Sequence, residues 1–314
     1  MISPTVISSD DLAGPEQLRR GEFRFHLQMG FAFALVFLVT AVGCRVKGVR
    51  VVDLSEIGVA LFVALAAVAP LPLYWQEKGR TDFRDAALTI PWAMLFAVLL
   101  PFTVDVAARM NMPLWDETLT RTDLSLGVSV PGIVYWASHS WLGTLANKSY
   151  PLLVPMLPIA ILAPALTGKV VHAQDFLISN LVAFTIGLTL FALMPAIGPW
   201  YGFHFPARPA QLLCESQFLA MRQPGPYSFE PAGIVCFPSF HVIWAILCAR
   251  SLWCFPAIRI PVALLSGLII LSTLTTGWHY FTDVIVGIVL ALISIGIAKA
   301  SRSPRSHFSK GASS

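Results

Sequence analysis

Residues 277–298 read Gly277-Trp-His-Tyr-Phe-Thr-Asp-Val-Ile-Val-Gly-Ile-Val-Leu-Ala-Leu-Ile-Ser-Ile-Gly-Ile-Ala298, with no charged side chain between Asp283 and Lys299. About 20 apolar residues cross a bilayer as a helix. The stretch therefore predicts a membrane-spanning helix over His279–Ala298 whose first turn holds a histidine and an aspartate. A similar pattern stands upstream, where Cys236-Phe-Pro-Ser-Phe-His241 opens a second apolar run. Ionisable groups at membrane depth are tolerated chiefly where they face a bundle interior or a wet cavity and have partners. His241, His279 and Asp283 are thus the default functional site.

The rest of the chain fits this frame. Its 314 residues are 56% hydrophobic, with a mean hydropathy of +0.72 and only 12% charged residues, against roughly 25% in a soluble domain. The expected fold class is all-α, a polytopic membrane helix bundle of about eight transmembrane helices. They are placed at Leu27–Cys44, Ile57–Trp75, Ala86–Val104, Ser149–Gly168, Phe176–Gly198, Ser239–Phe255, Ile260–Gly277 and His279–Ala298. The uncharged stretch 124–147 is broken by Gly127, Pro131, Gly132 and Gly143 and carries Tyr135, Trp136 and Trp141. It reads as an interfacial or re-entrant segment, since such aromatics collect at headgroup level. The expected division is an amino-terminal tail (1–26), accessory helices (27–105), a catalytic membrane domain (106–300) and a disordered basic tail (301–314).

With the amino terminus inside, 13 of the 21 Lys and Arg residues fall on the cytoplasmic side. Arg45, Lys47, Arg50, Arg109, Arg121, Lys148, Arg208 and Arg222 fall on the other. That bias favours both termini in the cytoplasm of a cell-membrane protein, with the His/Asp elements at the extracytoplasmic face. The net charge of +4 is spread over loops and tails, so no nucleic-acid partner is expected. The bilayer itself is the expected partner, with the basic tail at anionic headgroups. The polar first 26 residues exclude a cleavable signal, and Leu27–Cys44 is expected to anchor the chain. Cys214 and Cys236 share the long loop 199–237, where either a disulfide or two free thiols is open. That loop is read as a lid or as an ordinary capping loop.

Ser239 is a good N-cap after Pro238, so the helix at His241 opens with free N–H groups that suit an anion such as phosphate. His241 lies in that first turn, placed to protonate an oxygen leaving the anion. His279 and Asp283 are four apart and share a helix face. A carboxylate on one imidazole nitrogen leaves the other lone pair free for attack, which makes His279 the expected nucleophile. A metal site is not expected, because no cysteine or second acid with ligand spacing accompanies the pair, and no cofactor is expected. A proton relay in a transporter is the alternative use of the same three residues.

Phe-Pro-Ser-Phe-His and His-Tyr-Phe-Thr-Asp resemble the second and third motifs of the type-2 phosphatidic acid phosphatase superfamily, over roughly Asp116–Ala300. Within it the chain looks closest to the inositol phosphorylceramide synthase branch and its bacterial relatives. An Asp-bearing stretch (Asp116–Gly127), Pro-Ala-Ile-Gly-Pro (Pro195–Pro199) and the His-Tyr-x-x-Asp form carry that likeness. The resemblance implies a six-helix phosphatase-type core and a metal-independent transfer from a lipid phosphate to an alcohol or water through a phosphohistidine. Ser239, Phe240 and nearby amides, with Arg208, would hold the phosphate. Three positions depart from the pattern: Ser272-Thr273 stands where Ser-Arg opens the third motif, Tyr201 replaces the lysine seven residues before Arg208-Pro209, and Phe240 replaces the glycine of Pro-Ser-Gly-His. Loss of both basic groups points toward a diester-like headgroup substrate rather than a phosphomonoester.

Overall fold

A computed structural model of the chain describes residues 15–47, 70–223 and 235–302. The helices are α1 (Pro15–Lys47), α2 (Leu71–Glu77), α3 (Thr81–Ala108), α4 (Asp116–Ser125), α5 (Val130–Ser138), α6 (Trp141–Ser149), α7 (Leu153–Leu166), α8 (Val170–Leu193), α9 (Pro199–Gly202), α10 (Pro209–Met221), α11 (Phe240–Leu252), α12 (Arg259–Thr275) and α13 (Phe281–Arg302). Every regular element among the described residues is helical, as lipid requires of a chain that does not close into a barrel. Six stretches are long and apolar enough to span: Glu22–Lys47, Phe83–Ala108, Trp141–Leu166, Val170–Leu193, Pro256–Thr275 and Phe281–Arg302. The apolar α11 is shorter. The protein is multi-pass. Most of the expected helix Ile57–Trp75 lies outside the described residues, as do the start of the amino-terminal tail and nearly all of the basic tail.

Several boundaries differ from expectation, those of the fourth and fifth spans most. The fourth span begins at Trp141 rather than Ser149, because α6 runs through the single 3₁₀ turn Tyr150–Leu152 into α7. Gly143, which looks like a breaker, is a packing residue: a Cβ there would lie 2.3 Å from the Ala137 Cα. The stretch 124–147 accordingly splits between the short α5 and the head of this span, each started by a serine N-cap, Ser129 and Ser140. The fifth span begins at Val170 rather than Phe176. Gln174 and Asp175 are tolerated there because Arg302 pairs with Asp175 and donates to Gln174 Oε1 at 3.1 Å. It ends at Leu193, ahead of Pro195, which cannot continue a helix.

α8 is the hub. It packs on α3, α7, α11 and α13 and buries Phe176, Leu177, Leu181, Phe184 and Phe191. α1 lies outside against α3. His26 accepts a bond from Trp92 Nε1 at 3.0 Å across that contact. Because α11 and α13 begin where α8 and α12 end, the Pro-Ser-Phe-His and His-Tyr-Phe-Thr-Asp elements meet at one end of the bundle.

Candidate active site

α12 ends at Thr275, followed by Gly277 in the left-handed region, φ +73°. The Gly277 N–H reaches the Leu274 carbonyl at 3.0 Å and the Trp278 N–H reaches the Thr273 carbonyl at 3.2 Å. This is the paired pattern by which a glycine closes a helix. A Cβ at Gly277 would also approach Phe205 and Val134 to 3.1 Å. The buried Gln211 of α10 donates to the Gly277 carbonyl at 3.1 Å and takes the Arg208 N–H on its oxygen at 2.8 Å. The described part of the loop 199–237 therefore braces this turn. His279 follows at once, 4% exposed.

The imidazole Nδ1 of His279 lies 2.9 Å from the Cys236 carbonyl. A carbonyl can only accept, so Nδ1 carries the proton and the Nε2 lone pair stays free. Asp283 Oδ2 is 3.4 Å from the same Nδ1. That oxygen also accepts the Tyr280 N–H at 2.8 Å and the Cys236 thiol at 3.2 Å. Asp283 thus caps α13, as an acid at the third helical position does, while facing the histidine. Its Oδ1 meets no donor among the described residues. Burial holds the His279 imidazole down to about 4, against a smaller upward pull from its bond to Cys236, so at neutral pH the ring is uncharged.

His241 sits in the first turn of α11, capped by Ser239, whose hydroxyl accepts the Val242 N–H at 3.4 Å. The His241 and His279 rings are 5.9 Å apart, centre to centre. Tyr150 stacks on His241 at 4.3 Å, with its hydroxyl 3.5 Å from Nδ1. The structure therefore brings His241, Ser239, His279 and Asp283 together. The Phe240 side chain instead packs into the core on Phe184 and Trp244, so only its main chain is on offer to a ligand. Arg208 is exposed at the N-cap of α10. Ser272 and Thr273 are buried with hydroxyls on their own helix, at Ile269 and Ile270, and supply no phosphate ligand.

Two further carboxylates were visible in the sequence only as an Asp-bearing stretch. Asp123 of α4 accepts the Phe281 and Thr282 N–H groups at 2.8 and 2.9 Å and the Thr282 hydroxyl at 2.6 Å. Asp116, two turns earlier on the same side of α4, accepts the Ile197 and Gly198 N–H groups at 3.0 and 2.9 Å and the Tyr280 hydroxyl at 2.9 Å. Burial pushes the Asp116 carboxyl up, and these donors pull it back. Their spacing of seven puts both on one side of a helix, which is the signal that could have found them.

Cys214 and Cys236 are both buried and are not joined in a disulfide, and the Cys236 thiol instead contacts Asp283. Burial pushes the Cys214 thiol up to about 11 and the Cys236 thiol well up, the latter with help from Asp283. Spacing gave no cysteine partner for His279 and Asp283, yet folding supplies Cys236, and the three ligand atoms lie within 4.8 Å of one another. A cation there would have to displace the thiol and amide hydrogens already on Asp283 Oδ2 and the proton on His279 Nδ1. The donor set is a hydrogen-bonded chain and fits a metal poorly.

Comparison with known proteins places this geometry. The chain is 26% identical over 270 residues to the inositol phosphorylceramide synthase catalytic subunit aur1 of Schizosaccharomyces pombe, covering 80% of this chain and 60% of that one. It thus spans under two thirds of that relative. No solved structure matches. The family model of the PAP2 superfamily matches residues 117–297, which hold all of α4 but its first residue, nearly all of α13, and His241, His279 and Asp283. Matched over more than half its length, the chain belongs to the PAP2 superfamily.

Proposed function

We propose that the protein is a membrane-embedded phosphotransferase or phosphatase that cleaves a lipid-linked phosphate ester through a phosphohistidine, with its site at the extracytoplasmic face. The observation that carries this reading is His279, whose Nδ1 proton is held by the Cys236 carbonyl, which leaves the Nε2 lone pair for phosphorus. His241, 5.9 Å away ring to ring, is the one other histidine in the site. Nε2 attacks phosphorus, the P–O bond to the leaving group breaks, and His241 gives its proton to the departing oxygen. In the second half His241 takes a proton from an incoming alcohol or water, whose oxygen displaces His279 from phosphorus. Asp283 stabilises the positive charge that develops on His279. Ser239 and the first N–H groups of α11 supply dipoles for the nonbridging oxygens, the term on which phosphoryl transfer mainly depends.

The absence of basic residues at Ser272-Thr273 and Tyr201 favours a phosphodiester headgroup, which carries less charge than a monoester. The name of the fission-yeast relative makes a phosphoinositol donor and a ceramide acceptor the first pair to try. Purified protein in proteoliposomes, given labelled phospholipid with and without an alcohol acceptor, tests the reading. Release of the phosphorylated headgroup marks hydrolysis and a new headgroup lipid marks transfer, while no turnover of any lipid phosphate overturns both.

The pH profile gives a further prediction. The lone pair of His279 is lost as pH falls through its folded-state value of about 4. The acid limb of kcat/KM assigned to this nucleophile is expected near pH 4 to 5, well below the ordinary histidine value of about 6.5. An acid limb at 6.5 that vanishes with Asp283→Asn would contradict it.

A further inference from the structure

At the end of the bundle away from the histidines, the start of α8, the end of α11 and the end of α13 enclose a cavity of about 20 Å³. It is lined by His172, Asp175, Ser179, Arg250, Ser251 and Lys299, among others. A space of that size admits one water-sized group. Asp175, its one carboxylate, is paired with Arg302. Arg250 is half-buried and Lys299 exposed, and neither has a hydrogen bond or ion pair with a protein group among the described residues. The Arg250 guanidinium is not among the buried polar groups that lack a partner, so its donors stay open to an anion arriving from outside the bundle.

The depth of the cavity narrows what that is. Trp253, just past α11, is 43% exposed with Arg259 5.9 Å from its ring. Lys169, at the head of α8, lies 4.4 Å over Phe255 and donates to the Cys254 carbonyl at 2.8 Å. Aromatic and basic residues gathered at helix ends mark the headgroup layer. Basic pockets between membrane helices at that layer suit anionic headgroups.

We infer that this cavity is a binding site for the phosphate group of an anionic phospholipid, separate from the His/Asp site and independent of the reaction assigned there. One phosphate oxygen enters the cavity, Arg250 takes the group from the helix side, and Lys299 closes over it from the surface. The basic groups contribute about fivefold in affinity each, so removing both should weaken binding roughly twenty-five-fold. The protein is placed in nanodiscs of phosphatidylcholine alone or with phosphatidylglycerol, and retained lipid is read by native mass spectrometry.

Wild type should keep phosphatidylglycerol selectively. Arg250→Gln with Lys299→Gln should lose that selectivity, with lipid turnover at the histidines unchanged as proof of folding. The surface change Lys299→Gln alone should show the same loss in part. Equal retention by wild type and the double variant overturns the inference. So does stabilisation by inorganic phosphate in all-phosphatidylcholine discs that matches that of phosphatidylglycerol, because the site would then serve the free ion.

Discussion

A His279→Ala variant is expected to lose lipid turnover by on the order of 10⁴-fold or more, the scale seen when one member of a nucleophilic unit is removed, while remaining folded. The fold should survive because the imidazole makes one close protein bond, to the Cys236 carbonyl at 2.9 Å, and orphaning a carbonyl costs about 1 to 3 kcal/mol. Acid-labile label from a phosphate-labelled lipid should appear on wild type after a quench and be absent from the variant. His241→Ala separates the two roles. A proton donor matters little for a leaving group such as p-nitrophenolate, so this variant should lose turnover of ordinary lipids yet still release a first-turnover burst of p-nitrophenolate from a p-nitrophenyl phosphodiester, with later turnovers slowed because His241 is also the base of the second half. His279→Ala should lose both. Turnover by His279→Ala within tenfold of wild type would remove the nucleophile from the proposal.

The three central residues were legible because each interrupts an apolar run at its end, where desolvation makes an ionisable group conspicuous. The all-helical, multi-pass fold was legible for the same reason, read from the lengths of the runs. What surrounds the three residues was hidden. Cys236 contributes a carbonyl and a thiol to His279 and Asp283, and a main-chain acceptor leaves no mark on composition. Asp123 caps a helix that begins over 150 residues later, so the donor and acceptor share no local pattern. Phe240 occupies the place of a family glycine and reads as part of the phosphate shell in sequence, but its ring beside Phe184 is held by the core. The boundaries at Trp141 and Val170 are hidden because a glycine or a charge in the sequence does not show the Ala137 backbone or the Arg302 that make it acceptable there.

Asp116→Ala is expected to destabilise the protein by roughly 4 kcal/mol, with activity falling alongside stability. Its carboxylate takes two main-chain N–H groups from the Pro-Ala-Ile-Gly-Pro segment and the hydroxyl of Tyr280, the neighbour of His279. Alanine leaves the Ile197 and Gly198 N–H groups buried without acceptors, at about 1 to 3 kcal/mol each. It also leaves a void beside Tyr280, a side chain with no exposed surface. The hydroxyl itself is spared, because the Gly198 carbonyl lies 2.9 Å away and can take its proton. Asp116→Asn gives the contrast. An amide oxygen at the Oδ1 position keeps both N–H bonds and the Tyr280 hydroxyl, and only the second Ile197 contact, on Oδ2, is lost, so the loss should be near ~1 kcal/mol. Thermal unfolding in detergent ranks the three proteins, and the surviving folded fraction gives kcat. Because α4 holds both this segment and the first turn of α13 through Asp123, the folded Asp116→Ala protein should show a lower kcat with KM little changed: the clamp positions His279 and touches no substrate. Equal melting of the alanine and asparagine variants would show that these bonds do not hold the site.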